Sequence, residues 1–134
     1  MTNRAPCVLS IAYDESLLRT REWILKAAGF AVTSALGFTS AVAHCGNAVF
    51  DVVILGHSIP HKEKIALIEQ IQSHNHSRIL SLRRFGEESV EGVKECTESE
   101  LLGPSDFLAA VRAVLNGTEA RSTGGCGEAE QTAS

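Results

Sequence analysis

The feature that most constrains this chain is a change of hydrophobic period that recurs along it. Short apolar runs with no polar face, suited to strands buried on both sides of a parallel sheet, alternate with stretches whose apolar residues recur at helical spacing. Cys7-Val8-Leu9-Ser10-Ile11-Ala12 is the first such run. Asp14-Glu15-Ser16 follows, with short acceptor side chains and negative charge suited to a helix N-terminus. Leu17, Leu18, Ile24, Leu25 and Ala28 then form one stripe, Arg19, Glu22 and Lys26 face away, and Gly29 ends the helix.

The same alternation continues downstream. Ala31-Val32-Thr33-Ser34-Ala35 reads as a second strand, and Thr39-Ser40 opens a weaker helix through Ala41, Val42, Ala43 and Ala48. Asp51-Val52-Val53-Ile54-Leu55, β-branched and stopped by Gly56, is the clearest strand, and its full burial implies helices on both faces of the sheet. After Pro60, residues Ile65, Leu67, Ile68 and Ile71 mark a third helix, ending in the polar run Ser73-His74-Asn75-His76-Ser77. Arg78-Ile79-Leu80-Ser81-Leu82 is a fourth strand. A helix is expected over residues 86–95 with Val90 and Val93 inward, then a short strand around Leu101-Leu102. Pro104, in the first turn, starts a last helix carrying Phe107, Leu108, Val111, Val114 and Leu115.

The element order is therefore (βα)5. Right-handed crossovers make it an α/β, doubly wound, five-stranded parallel sheet of the flavodoxin-like kind, with strand order 2-1-3-4-5. In such a sheet the functional cleft lies at the carboxyl ends of strands one and three, where the winding reverses.

Composition narrows the function. The 12 Lys and Arg stand against 16 Asp and Glu, a net charge of −4, which argues against a general polyanion binder and leads us to expect no nucleic-acid partner. No apolar run approaches the roughly 18–20 residues that span a bilayer, and Met1-Thr2-Asn3-Arg4-Ala5-Pro6 leads into a strand-like run rather than a signal peptide's core. A soluble, cytoplasmic protein without a membrane partner is the expectation. Cys7, Cys45, Cys96 and Cys126 are widely spaced with no CxxC pair, so reduced thiols are expected rather than a zinc site or a disulfide frame. From Gly117 to Ser134 there is no large apolar residue to offset chain entropy. The expected division is one folded domain over 1–116, with 117–134 a disordered tail too short and polar for a DNA-binding module.

Over residues 7–116 the sequence resembles the receiver domain of two-component response regulators. Val8-Leu9-Ser10-Ile11 with Asp14-Glu15-Ser16-Leu17-Leu18-Arg19 is similar to the family's first strand and helix. Phe50-Asp51-Val52-Val53-Ile54-Leu55-Gly56-His57-Ser58-Ile59-Pro60 is similar to its third strand and the loop ending in Met-Pro. Leu102-Gly103-Pro104 running into Phe107-Leu108-Ala109-Ala110-Val111 resembles its Lys-Pro turn and last helix. The resemblance implies a signalling domain that is phosphorylated on an Asp ending the third strand, with Mg²⁺ held by an acidic pair ending the first. It also implies a Thr or Ser ending the fourth strand and a Lys before the late Pro, both engaging phosphoryl oxygens.

Carried onto this chain, those positions are all substituted. The acidic pair falls on Ala12 and Tyr13, the phosphoacceptor on Gly56, the hydroxyl on Arg83 and the Lys on Gly103. The aromatic that many receivers use as a packing switch falls near Glu100. A glycine has no side chain to accept a phosphoryl group. Asp14 is the one nearby carboxylate and reads as a helix cap; a single carboxylate is a poor Mg²⁺ site, so no Mg²⁺ and no other cofactor is expected. Asp51 cannot stand in, since it precedes Val52-Val53-Ile54-Leu55 and belongs to the opposite end of the strand.

Four other constellations carry weaker signals. His57 and His61 are four apart, the helical spacing of a metal pair, but Pro60 intervenes, and a loop histidine is the plainer reading of His57. Ser58 has no His and Asp at usable positions for a hydrolase triad. Arg83-Arg84 brings positive charge to a cleft stripped of carboxylates, which favours an anion, unless Arg83 pairs with Asp14 or Glu87. Glu87, Glu88, Glu91, Glu95, Glu98 and Glu100, opposed only by Lys94, make either a solvated face or a docking face for a basic partner. The expectation is a degenerate, stand-alone, non-enzymatic receiver, monomeric or weakly dimeric, signalling by protein contact without phosphorylation. The alternative is a small-anion or nucleotide binding module with Arg83 in the cleft.

Overall fold

In the computed structural model of this chain, the described residues are 5–47, 50–74, 77–83, 86–87, 93–97 and 103–116. Among them are five strands, β1 (Cys7–Ala12), β2 (Ala31–Leu36), β3 (Val52–Leu55), β4 (Arg78–Arg83) and β5 (Lys94–Thr97), and four helices, α1 (Glu15–Ala27), α2 (Phe38–Asn47), α3 (His61–His74) and α4 (Pro104–Leu115). All neighbouring strands pair in parallel, and their order is β2-β1-β3-β4-β5.

The central strands are sealed on both faces, as their unbroken apolar composition requires. Val52, Val53, Ile54 and Leu55 of β3 are all buried. On one face Val8, Ile54, Leu80 and Leu82 pack with Leu25 of α1 and with Phe107, Val111 and Val114 of α4. On the other, Leu9, Ile11, Val53, Leu55 and Ile79 pack with Ala41 and Cys45 of α2 and with Leu67, Ile68 and Ile71 of α3. Alternate residues of each strand thus feed the two halves of the core.

The helix boundaries follow local chemistry. Asp14 Oδ1 accepts from the Leu17 amide at 3.2 Å and caps α1. Gly29, at φ 98°, takes the left-handed conformation beyond the end of α1 that a β-carbon would strain. Pro104 begins α4, where its missing amide hydrogen costs nothing. Trp23, the single tryptophan, points outward from α1 and is 74% exposed.

The fifth strand corrects the sequence reading. It lies at Lys94–Thr97, so residues 94 and 95, assigned from sequence to a helix over 86–95, are in the sheet. Lys94-Glu95-Cys96-Thr97 shows no apolar run because β5 is an edge strand with only Cys96 buried. Residues 88–92 with Val90, residues 98–102 with Leu101 and Leu102, and the tail 117–134 with Cys126 lie outside the described residues. Among the described residues, no helix is long and apolar enough to cross a membrane.

Candidate functional site

Parallel strands bring their carboxyl ends to one edge of the sheet. Registers pairing Ile11 with Leu55, Leu55 with Ser81 and Arg83 with Thr97 align Ala12, Gly56, Arg83 and Thr97 along it. The winding reverses between β1 and β3, so the switch point at which open α/β sheets place their ligand crevice falls beside Ala12 and Gly56. Asp51 is at the far edge: its Oδ2 accepts from the Cys7 amide at 2.7 Å, and its own amide donates to the Cys7 carbonyl at 2.8 Å. Asp51 therefore fastens the amino ends of β1 and β3 and is remote from the crevice.

Gly56 is hemmed in. Its amide donates to the Ile11 carbonyl at 2.9 Å. A β-carbon built on Gly56 would stand 2.8 Å from Arg21 Nη1, 2.9 Å from the Ile11 carbonyl oxygen and 3.4 Å from the Ala12 methyl. The backbone contact is the harder of the two, because a carbonyl already held in the sheet cannot swing aside as a guanidinium can. The position to which the resemblance assigns a phosphoacceptor thus has neither a side chain nor room for one.

Arg21 is the residue that sequence reasoning missed. It stands between Leu18 and Leu25, both buried, at spacings of three and four, and so on the inward face of α1. Its side chain crosses to the crevice, where Nη1 is buried without a hydrogen-bond partner among the described residues. Burial disfavours its charge and lowers its pKa below the ordinary arginine value, an effect opposed by the charge of Asp14.

Tyr13 ties the loop after β1 to its neighbours. Its amide donates to Ser58 Oγ at 2.9 Å, and its hydroxyl donates to Glu63 on α3. Burial first, then the hydrogen bond to the Glu63 carboxylate and its negative charge, raises the phenol pKa above its ordinary value. Ser58 therefore serves to pin the loop after β1 to the loop after β3. His57 follows Gly56 in that loop and is half-buried.

A second inward cation crosses the sheet edge at β4. Lys64 of α3 is 0% exposed; its Nζ donates to the Leu82 carbonyl at 3.0 Å and to Glu87 Oε2 at 2.9 Å. His61 Nδ1 is 3.3 Å from the same oxygen. Arg83 Nη1 donates to the Glu87 carbonyl at 2.6 Å, and Arg83 Nε lies 3.7 Å from Glu95 Oε1. The expected Arg83 to Glu87 contact exists, then, through the backbone rather than the carboxylate.

These contacts correct the proposed acidic face. Glu87 and Glu95 turn inward onto Lys64 and Arg83, with side chains only 11% and 14% exposed. Buried Lys64 and partly buried Arg83 draw them in, which leaves little of either carboxylate at the surface. Glu88, Glu91, Glu98 and Glu100 lie outside the described residues. Gly103 is the residue before Pro104 and α4, six positions after β5 ends at Thr97. Among the described residues, no three His, Cys, Asp or Glu side chains converge as a metal site requires.

No protein-family model matches the chain, and no curated protein does. Solved structures do. A response regulator receiver domain protein from Methanospirillum hungatei JF-1 superposes with a TM-score of 0.72 at 18% identity, covering 87% of this chain and 98% of that one. The chemotaxis protein CheY4 of Vibrio cholerae gives a TM-score of 0.64 at 22% identity, with coverage of 83% and 99%. A structure described as adenylate cyclase from Rhodopirellula baltica gives 0.71 at 22% identity, with coverage of 87% and 92%. Strand order, parallel pairing and near-complete coverage of these chains agree: this protein has the CheY-like receiver fold.

Proposed function

We propose that this chain is a receiver-like signalling domain that acts through protein contacts and is not phosphorylated at the end of β3. The observation that carries this reading is the filled space beside Gly56, bounded by the Arg21 guanidinium and the Ile11 carbonyl. In a receiver the same place holds an aspartate, a metal and the phosphoryl group. Here a cation already stands there, and a bound Mg²⁺ would meet its repulsion without the acidic pair to offset it. Ala12 and Tyr13 supply no carboxylate, and Tyr13 is committed to Glu63. Arg83, at the hydroxyl position, is committed to Glu87 and Glu95.

On this reading the body over 1–116 carries the function and 117–134 is an appended tail. The domain has no catalytic residue, requires no cofactor, and takes a protein partner rather than nucleic acid. The test is amide NMR with Mg²⁺ and beryllofluoride, a mimic of aspartyl phosphate. We expect no perturbation that requires both reagents. A saturable perturbation at residues 12–14 and 56–58 that appears only with both present would overturn the reading.

A further inference from the structure

From Ala31 to Phe50 the chain carries no Asp, Glu, Lys or Arg, although these make up 21% of the whole. That stretch holds β2, an edge strand with β1 as its only neighbour among the described residues. Open edges invite another strand, and proteins ordinarily guard them with charge, proline or a bulge. β5, at the other edge, carries Lys94 and Glu95, whereas β2 has no charge and no proline and runs in unbroken register with β1. We propose that β2 is the contact surface of a homodimer, in which it pairs antiparallel with β2 of a second copy and sets α1 beside its counterpart. The proposal goes beyond the signalling reading and does not depend on it.

The backbone fixes the pairing. The Ala31 amide donates to the Pro6 carbonyl at 2.9 Å and the Gly37 amide to the Ala12 carbonyl at 3.1 Å, so the odd-numbered residues of β2 turn toward β1. The N–H and C=O groups of Val32, Ser34 and Leu36 therefore point away from the rest of the sheet. A two-fold axis at Ser34 sets Ser34 against Ser34 and Val32 against Leu36 of the second copy, each pair exchanging both its N–H···O=C bonds. Leu36 is 46% exposed and lies on the same side of the sheet as half-buried Val32, so the pairing covers it with an apolar neighbour.

Charge selects a second copy as the occupant. Glu15, Arg19, Glu22 and Lys26 follow one another at spacings of four, three and four, and so form one stripe along α1. Ser34 Oγ donates to Glu22 Oε1 at 3.1 Å, which places that stripe on the flank of α1 nearest β2. Its signs alternate from negative to positive along the helix. Reversed by the two-fold axis, the stripe is its own complement: Glu15 meets Lys26 of the second copy, and Arg19 meets Glu22. Because α1 packs over β1 and β2, two strand spacings of about 4.8 Å bring the paired α1 helices about 10 Å apart, an ordinary distance for packed helices. The pairs within each stripe, Arg19 with Glu15 and Lys26 with Glu22, are exposed and lose little when shared across the contact. On the other side of the sheet α2 brings no Asp, Glu, Lys or Arg to the contact.

The experiment is sedimentation velocity of the full chain over about 1 µM to 1 mM, with circular dichroism as the check on folding. We expect a concentration-dependent dimer. Leu36→Lys, which guards the edge at an exposed position, should weaken it about tenfold or more. Glu15→Lys and Lys26→Glu should each weaken it by a similar factor, since each opposes like charges at both ends of the stripe. An equimolar mixture of those two variants should associate as tightly as the unaltered chain, because each supplies the sign that the other lacks. A monomer at every concentration would overturn the proposal and leave the edge to a strand of another protein. A dimer that withstands Leu36→Lys, or a mixture no tighter than either α1 variant alone, would overturn it too. If Leu36→Lys does not fold, the two α1 variants, both at exposed positions, decide the matter.

Discussion

Two cations are turned into this molecule at the same edge of the sheet but on opposite faces, and they are handled in opposite ways. Lys64, on the α3 face, is wholly buried and donates to a carbonyl and a carboxylate. Arg21, on the α1 face, reaches Gly56 with its Nη1 unmatched. A buried charge stabilises a fold only when its partners replace the lost water. The Lys64 cluster therefore reads as structure, tying α3, the end of β4 and Glu87 together. Arg21 Nη1 lacks that internal match among the described residues.

Identical surgery on the two cations should separate them most sharply. Lys64→Met takes away the buried ammonium that the inward-turned Glu87 carboxylate faces, and should cost about 3 kcal/mol of unfolding free energy in urea denaturation. A cost near zero would mean that Glu87 swings out to water and that the two regions do not differ as argued. Next in size, Gly56→Ala puts a β-carbon 2.9 Å from the Ile11 carbonyl; overpacking of this kind should cost about 1–3 kcal/mol by the same assay. Smallest, Arg21→Met removes an unmatched charge and keeps a long apolar stem. In anion-free buffer it should leave stability unchanged or raise it by about 1 kcal/mol. A loss as large as that of Lys64→Met would show that Arg21 has a structural partner after all.

Most of the fold was legible because fully buried parallel strands advertise themselves. Residues 52–55 admit no polar side chain, and Val8, Leu9 and Ile11 are scarcely less plain. What failed was β5, where an edge position relaxes the demand for apolar residues and Lys94-Glu95-Cys96-Thr97 resembles a loop or a helix face. The site was legible in what it lacks and illegible in what it contains. Substitution at positions 12, 13 and 56 could be read directly. Arg21 and Lys64 could not be placed from composition, yet each left a trace: Arg21 interrupts the Leu18 and Leu25 stripe, and Lys64 precedes Leu67, Ile68 and Ile71 at the same spacings. A cation on the inward face of a helix is the signal that was available. The inward turn of Glu87 and Glu95 follows from those cations and has no sequence signature of its own.

The outward setting of Trp23 determines how this protein can be watched. Being 74% exposed in the native state, the one tryptophan already emits from a watery environment, so its emission maximum should move little on unfolding. Far-ultraviolet circular dichroism is the sounder measure of global stability here. Trp23 lies two residues from Arg21 on the opposite side of α1, which makes it a local optical label for that helix. The single tyrosine, Tyr13, sits in the crevice with its hydroxyl on Glu63, so its near-ultraviolet signal should report on the crevice rather than on the molecule as a whole.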